Sequence, residues 1–105
     1  MAEAFQFKRQ YPRRRLRLPC SVNWEQDRVQ ATIADVSYCG VGVVIAKASG
    51  WTKQEARIEI PEGISLKVRP VYLQEESENH RIGCKIELIA GGKKQWLRLC
   101  DVPRW

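Results

Sequence analysis

The sequence lacks most of what a metal centre or an acid–base catalyst needs. Its only histidine is His80, and its four cysteines are far apart, without a Cys-x-x-Cys pair. A zinc site needs four converging ligands, usually from closely spaced pairs. A nucleophilic triad would have to be built from His80, Asp35 and Ser37, and a lone histidine beside an acidic stretch is more typical of a solvated surface group. The sequence therefore predicts no metal and no enzyme, with buried or half-buried free thiols at Cys20, Cys39, Cys84 and Cys100.

Long hydrophobic runs and a secretory signal are also missing. A membrane-spanning helix needs about 20 predominantly apolar residues, so this segment is not expected to insert into a bilayer. Without a regular cysteine framework, a reducing cytoplasmic location is favoured. The 105 residues are enough for one domain with a single core.

Acidic residues are scarce only in the N-terminal segment 1–17, so the positive charge of the chain is concentrated there. Residues 1–17 hold six Lys or Arg against Glu3, which gives +5, while the remaining 88 residues hold twelve basic and eleven acidic groups, which gives +1. The basic charge is therefore local. From this stretch alone it fits a solvated tail, an arm for nucleic-acid backbone, a patch for anionic lipid or a compact anion site.

Four arginines, Arg13, Arg14, Arg15 and Arg17, form the centre of this basic stretch. No carboxylate lies among them, so their mutual repulsion favours an anionic ligand. Guanidinium is a planar fork that makes paired hydrogen bonds to phosphate or to the O6 and N7 edge of guanine. The flanking prolines at 12 and 19 predict an extended conformation.

The remaining chain reads as short antiparallel strands. Apolar residues alternate with polar ones from Cys20 to Trp24 and from Val29 to Ile33, which predicts a hairpin, and 41–46 is apolar on both faces. Further strands are predicted around Ile58–Ile60, from Leu66 to Leu73 with a bulge or edge at Pro70, and from Ile82 to Leu88. Val71, Leu73 and Leu88 are assigned to the core, and 75–79 to an acidic hairpin loop.

After Gly91-Gly92, the residues Trp96, Leu97 and Cys100 fall at helical spacing, which predicts about two turns of helix over one end of the sheet. Six short strands and one helix in a chain of this size must protect the sheet edges. We therefore expect an all-β fold, a six-stranded antiparallel barrel with a C-terminal helix. Residues 1–12 are expected to be a flexible arm, and 13–105 the barrel domain with an arginine loop at 13–17.

A second polar cluster lies between two predicted strands, as Asp35-Val36-Ser37-Tyr38-Cys39-Gly40. In an extended segment Asp35 and Ser37 project on the same side, with Val36 buried between them. Gly40 permits a positive φ or a close backbone approach to a ligand. A carboxylate accepts hydrogen bonds from N1 and N2 of guanine, which complements the arginines, although an ordinary Asx turn also explains this stretch.

Together, Arg13-x-x-x-Arg17 before the first strand and Asp35-x-Ser37-x-x-Gly40 about twenty residues later resemble the motifs of the PilZ domain, the bacterial receptor for cyclic di-GMP. The resemblance covers residues 9–100 and includes the strand Ile82-Gly83-Cys84-Lys85-Ile86. It implies a barrel whose arginine loop folds over the nucleotide. The ligand contacts it implies are Arg13, Arg17, Asp35, Ser37 and Gly40, with Arg14 as a third arginine.

The C-terminal sequence Cys100-Asp101-Val102-Pro103-Arg104-Trp105 is also similar to the PilZ module of bacterial cellulose synthase catalytic subunits. This similarity implies a glycosyltransferase partner in a longer chain and a location on the cytoplasmic side of the inner membrane. The alternative is a small barrel that binds single-stranded nucleic acid through the basic arm and the aromatics Trp24, Trp51, Tyr38 and Tyr72. The resemblance makes nucleic acid the less expected partner.

Overall fold

The computed structural model describes residues 13–101 and shows six antiparallel strands closed into a barrel, with one helix. The arm assigned to residues 1–12 lies outside the described residues. The strands are β1 (Arg14–Trp24), β2 (Asp27–Ser37), β3 (Gly40–Ala46), β4 (Ala56–Ile60), β5 (Ile64–Glu76) and β6 (Asn79–Gly91), and the helix is α1 (Lys93–Cys100). Around the barrel the order is β1-β2-β3-β6-β5-β4, and β4 pairs with β1 to close it. The expected barrel and C-terminal helix are confirmed.

Alternating apolar residues fill the inside of the barrel, as period two requires when one face is buried. Two aromatic groups close its ends. Trp96 of α1 is fully buried at one end, and at the other Trp51 stacks on Trp24 with ring centroids 6.1 Å apart. The fully buried strand side chains are Val22, Ile33, Val36, Val41, Val43, Ile45, Ile58, Leu66, Val68 and Ile82.

The arginine run is extended, as expected, but it belongs to a strand rather than to a loop before one. Strand β1 begins at Arg14, and Arg14 and Arg15 pair with Val36 and Asp35 of β2. The register shifts between Arg15 and Leu18, and that of β2 against β3 shifts between Ile33 and Asp35. Such bulges re-aim side chains, and here they lie beside each other at the start of β1.

The core assignments of Val71 and Leu73 are wrong. The two side chains are 57% and 38% exposed. The expected irregularity at Pro70 is present as a register shift between Pro70 and Tyr72. From Arg69 onwards β5 pairs only with β6, because the last pair that it forms with the five-residue β4 is Val68 with Ala56. This part of the β5–β6 hairpin therefore has no second neighbouring strand to bury its side chains.

Leu88 was also assigned to the core and is 56% exposed. A further register shift between Lys67 and Val68 of β5 places Glu87 as an extra residue in β6 and moves the apolar phase. Ile86 and Ile89, three residues apart, therefore pack against the core instead. Leu97, 40% exposed, faces away from the barrel although it follows Trp96 directly. Only Trp96 and Cys100 of α1 are fully buried.

The acidic loop assigned to 75–79 is mostly strand, since the ladder continues to the pair Glu76 and Asn79. The expectation that His80 is a solvated surface group is wrong as well. Its side chain is 12% exposed and its Nε2 lies 4.0 Å from the Glu75 carboxylate. The cause is its position in β6, where it pairs with Ile45 of β3 on one side and with Glu75 of β5 on the other.

Candidate functional site

The site begins with Asp35, which lies on the outer wall of the barrel. Val36 is fully buried, so its neighbours Asp35 and Ser37 project from the opposite face of β2, as expected. The Asp35 carboxylate is 14% exposed. One of its oxygens accepts a hydrogen bond from Arg13 Nη1, and the other lies 3.4 Å from Arg81 Nη1. Asp35 therefore joins the residue directly before β1 to the start of β6.

The Asx-turn interpretation of Asp35 is not what the structure shows. The residue lies within strand β2, between Arg15 of β1 and Gly42 of β3, and both carboxylate oxygens have arginine partners. Of the two reasons expected for a glycine at position 40, the positive φ is not observed, and the close approach of its backbone to a ligand stays a prediction. The glycines with positive φ among the described residues are Gly50, Gly63 and Gly92, so the backbone at Gly40 is one that other residues adopt.

Two other glycines make the outer wall flat. Gly42 and Gly83 are direct partners across β3 and β6. A Cβ on Gly42 would lie 2.8 Å from an Asp35 carboxylate oxygen, and a Cβ on Gly83 would lie 2.2 Å from the ring of Tyr72. The absence of both side chains lets the carboxylate and the aromatic ring rest on the backbone of the wall.

Between these groups is a cavity of about 450 Å³ lined by Arg13, Arg15, Ala34, Asp35, Tyr72 and Arg81. It combines three guanidinium groups, one carboxylate and one aromatic ring that is half exposed. Guanidinium groups bind phosphate and the acceptor edge of a purine, a carboxylate binds purine donors, and an aromatic face stacks on a base. The cavity is therefore suited to a phosphorylated purine.

The structure brings together some of the predicted site residues and separates others. Arg13 and Asp35 are in contact inside the cavity. Ser37 and Gly40 pair with each other one step along the same hairpin, outside the cavity lining, and Ser37 is buried. Arg17 is exposed within the irregular part of β1, between Arg15 and Leu18, and its side chain forms no ion pair with the described residues.

Arg14 points away from the cavity. Strand alternation puts it on the other side from Arg13 and Arg15, and its Nη1 donates to the Leu99 carbonyl at 2.7 Å and lies 3.5 Å from the Asp101 carbonyl. These carbonyls belong to the last turn of α1 and the residue after it, where a cation is favourable. In this arrangement Arg14 holds the helix and Arg13 lies in the cavity.

Helix α1 is attached to the same hairpin that carries Asp35. Trp96 Nε1 donates to the Tyr38 carbonyl at 3.4 Å, and Cys100 Sγ lies 3.3 Å from the Ser37 carbonyl. Burial raises the pKa of the Cys100 thiol to about 12, with the Arg14 charge opposing this, so the thiol is a donor at neutral pH. The segment Asp35–Gly40 thus faces the cavity on one side and the helix on the other.

Sequence reasoning missed Arg15, Tyr72 and Arg81 as residues of the cavity. Arg15 had a signal, because it is the residue of the arginine run that shares a strand face with Arg13. Tyr72 was named only as an aromatic for the nucleic-acid alternative, and Arg81 had no signal, since the proximity of both to Asp35 arises from the pairings of β5, β6 and β3. The sequence also contains the Arg-x-x-x-Arg spacing twice, as Arg9 with Arg13 and as Arg13 with Arg17. Either pair could therefore be the arginine motif of the site. Arg9 lies outside the described residues.

The cysteines do not converge on a metal. Among residues 13–101 no group of three or more potential ligands is positioned to hold an ion. All four thiols are free, with Cys20, Cys84 and Cys100 buried as expected and Cys39 exposed in the turn between β2 and β3. Within the same range, no helix is long and apolar enough to cross a bilayer.

Comparison with known proteins agrees with the barrel fold and with the family that the sequence resembles. The chain matches the family model of the PilZ domain over residues 7–100 and belongs to that family, whose members are regulatory domains that bind cyclic di-GMP. Its structure is similar to that of the Bacillus subtilis inhibitor of motility MotI/DgrA, with a TM-score of 0.74 and 22% sequence identity. The match covers 89% of this chain and 49% of that one, so the chain spans about half the length of that protein, and the likeness is one of fold. A sequence comparison with curated proteins gives no match.

Proposed function

We propose that this chain is a sensor that binds cyclic di-GMP in the cavity bounded by Arg13, Arg15, Asp35, Tyr72 and Arg81. The observation that carries the proposal is the contact between Arg13 and Asp35 on a wall flattened by two glycines. Donors for phosphate and for the O6 and N7 edge of guanine thereby lie beside an acceptor for its N1 and N2. Ser37 and Gly40, which pair with each other further along the same hairpin, are the remaining proposed contacts, and Ser37 is buried in the structure.

Binding exchanges one set of ion pairs for another. Asp35 is paired with Arg13 and Arg81 before the ligand arrives. The nucleotide supplies base donors to the carboxylate and phosphate oxygens to the released arginines, so the charges stay compensated. The exchange changes the position of the arginine segment 13–17, and a ligand can shift that position only through contacts that differ between the two states.

The proposed output is control of a glycosyltransferase, such as a cellulose synthase catalytic domain, that shares a longer chain with this domain on the cytoplasmic side of the inner membrane. Its support is the sequence resemblance of residues 100–105. The proposal requires that cyclic di-GMP activates such a fusion and that Asp35→Ala removes the activation while basal synthesis remains. Activation that persists in Asp35→Ala would contradict it.

Calorimetry of the purified chain with cyclic di-GMP tests the binding directly. We expect saturable binding whose stoichiometry also reports whether one nucleotide or a stacked pair is bound. Arg57→Ala, which removes an exposed arginine from β4, is the matched control and keeps wild-type affinity. A folded protein that gives no heat with cyclic di-GMP at micromolar concentration refutes the proposal.

Salt dependence separates this function from binding of single-stranded nucleic acid. A groove that contacts many phosphates loses affinity steeply with ionic strength, while a ligand with two phosphates gives a shallow slope. Two of the four aromatics that suggested such a groove are core residues, since Trp51 is fully buried and Trp24 is 5% exposed. Tyr72 is the one that lines the cavity.

A further inference from the structure

A second surface of the molecule has the composition of a docking site. It is a shallow depression of about 370 Å³ beside helix α1, lined by Tyr38, Lys94, Leu97, Arg98 and Asp101. We call it the α1 surface. None of its residues lines the nucleotide cavity.

The leucine in this surface has no role in the core. Trp96 and Cys100 supply the buried face of α1, whereas Leu97 is 40% exposed on the other side of the helix. A single exposed leucine is ordinary. Here, however, it lies in a concave surface beside the half-buried ring of Tyr38, so the two apolar groups form a seat for one side chain.

The charge around this seat is of one sign. Helix α1 carries Lys93, Lys94 and Arg98 and no acidic residue. None of the three forms an ion pair with any other residue in the range 13–101, although six other ion pairs are present there. Asp101 is the only acidic group in the lining. An uncompensated basic helix around an apolar seat complements an acidic partner.

We propose that the α1 surface binds an acidic protein segment that places one apolar side chain on Leu97 and Tyr38. A bilayer is a poorer fit, because the other apolar residues of α1 pack against the core, Trp96 and Cys100 fully buried and Leu99 partly, which leaves Leu97 alone to insert. Nucleic acid is a poorer fit as well, since the centre of the surface is formed by the apolar groups of Leu97 and Tyr38 rather than by basic side chains that follow a phosphate backbone.

The position of this surface connects it to the nucleotide site. The hydrogen bonds of Trp96 and Cys100 to the carbonyls of Tyr38 and Ser37 attach α1 to the hairpin that carries Asp35. A partner on the α1 surface is therefore in contact with the same hairpin. Docking itself does not require the nucleotide, so it is tested separately.

The test is a titration of the ¹⁵N-labelled chain with a synthetic peptide of alternating Glu-Glu-Leu units, followed by amide chemical shifts. We expect the largest shifts at residues 93–101 and at Tyr38. Lys94→Glu/Arg98→Glu should weaken binding about tenfold or more, and Leu97→Ala about fivefold. The control Arg57→Glu/Lys67→Glu makes the same charge change on β4 and β5 and should leave the affinity within about twofold of wild type.

Several results would overturn the proposal. They are an absence of shifts at α1, equal weakening by the control pair, or no effect of Leu97→Ala at all. Binding to phosphatidylglycerol vesicles or to an oligonucleotide that depends on Lys94 and Arg98, when the peptide does not bind, assigns the surface to those ligands instead. Unfolding transitions of all variants establish that each change acts on a folded chain.

Discussion

Asp35 owes its position to two residues that make no polar contact with it. Val36 directs the chain by filling the core, and Gly42 leaves the space in which the carboxylate lies. The partners Arg13 and Arg81 then come from strands that are distant in sequence. A one-residue change at position 42 is therefore expected to disturb the site as much as a change of the carboxylate itself.

Asp35→Ala should weaken cyclic di-GMP binding by about 100-fold or more, because two charge-assisted hydrogen bonds to the base are lost, each worth about 1.5–3 kcal/mol. Its unfolding free energy should change by no more than about 1 kcal/mol, since ion pairs of partly exposed groups contribute little. Calorimetry and denaturant unfolding measure the two effects. A large loss of stability in this variant would mean that Asp35 mainly supports the hairpin.

Tyr72 is expected to act through its ring. Tyr72→Ala should lower affinity about tenfold, in the range measured for one base stacked on an aromatic side chain. Tyr72→Phe should keep wild-type affinity. Leu88→Ala, a change of an exposed apolar residue on β6, is the matched control. Equal affinity of the Ala and Phe variants would show that the ring does not contact the ligand.

Gly83→Ala tests where that ring must lie. The added methyl group occupies the place of the Tyr72 ring, which is half exposed and can turn outward. We expect reduced affinity with nearly unchanged unfolding, and no further loss when Tyr72→Ala is added, since the two changes remove the same contact. Fully additive effects in this double-mutant cycle would contradict the arrangement.

At the level of elements, the start of strand β1 serves two sites because its side chains alternate. Arg13 and Arg15 line the cavity, while Arg14 lies on the other face and binds the last turn of α1. A displacement of this strand end by a ligand would therefore act on the helix as well. The sequence alone placed all these arginines in one loop, where no such division of roles exists.

Arg14→Ala should lower the unfolding free energy by about 1–2 kcal/mol, because the Leu99 carbonyl loses a charged donor. Hydrogen exchange should increase first in α1. Arg17→Ala, an exposed change on the same strand, should stay within about 0.5 kcal/mol. If Arg14→Ala instead lowers nucleotide affinity tenfold without affecting α1, Arg14 is a ligand contact, as the resemblance implied.

The second Arg-x-x-x-Arg spacing leads to a direct comparison of Arg9→Ala with Arg17→Ala. Arg13 lies in the cavity, whereas Arg17 lies in the irregular part of β1 and does not line the cavity. We therefore expect Arg9→Ala to weaken binding about 10- to 100-fold and Arg17→Ala to have little effect. The reverse result would restore Arg13 and Arg17 as the motif pair. Calorimetry of both variants at one salt concentration decides between them.

The strands were predictable because one face of each is buried. Burial of one face makes apolar and polar residues alternate along the strand, as they do from Cys20 to Trp24. The errors lie where the ladder is irregular or uncovered. Val71 and Leu73 continue an alternating pattern beyond the part of β5 that pairs with β4, and Leu88 lies between two register shifts. The local sequence around an apolar residue does not show which strand will lie next to it. The exposure of these three side chains is therefore decided only by the assembled barrel.

The same reason limits how much of the site could be read from sequence. Arg13 and Asp35 come from two local motifs and were identified. Tyr72 and Arg81 reach the cavity through pairings between β5, β6 and β3, which no local pattern encodes. Gly42 and Gly83 were visible as glycines in strands, and each marks a close approach, although the sequence did not show what approaches.

At the level of the whole molecule, the closed barrel isolates its interior thiols from water. Burial raises the pKa of both Cys20 and Cys84 to about 12, from 9.0 for an exposed thiol. Proximity of the two thiols to each other raises the pKa of Cys84 further. Alkylation of the native protein at pH 8 should therefore modify Cys39, which is exposed, and leave the other three until the barrel unfolds.

The raised pKa values also make stability depend on pH in the alkaline range. Above pH 9 the unfolded chain loses these thiol protons while the folded barrel keeps them until about pH 12. The unfolding free energy should thus be unaffected by these thiols below pH 9 and should fall above it, by about 1.4 kcal/mol per pH unit for each thiol. Denaturant unfolding between pH 8 and 10.5 measures the slope. In Cys20→Val/Cys84→Val the slope should flatten, because the two titrating groups are gone, and an unchanged slope would mean that water reaches the thiols through an open barrel.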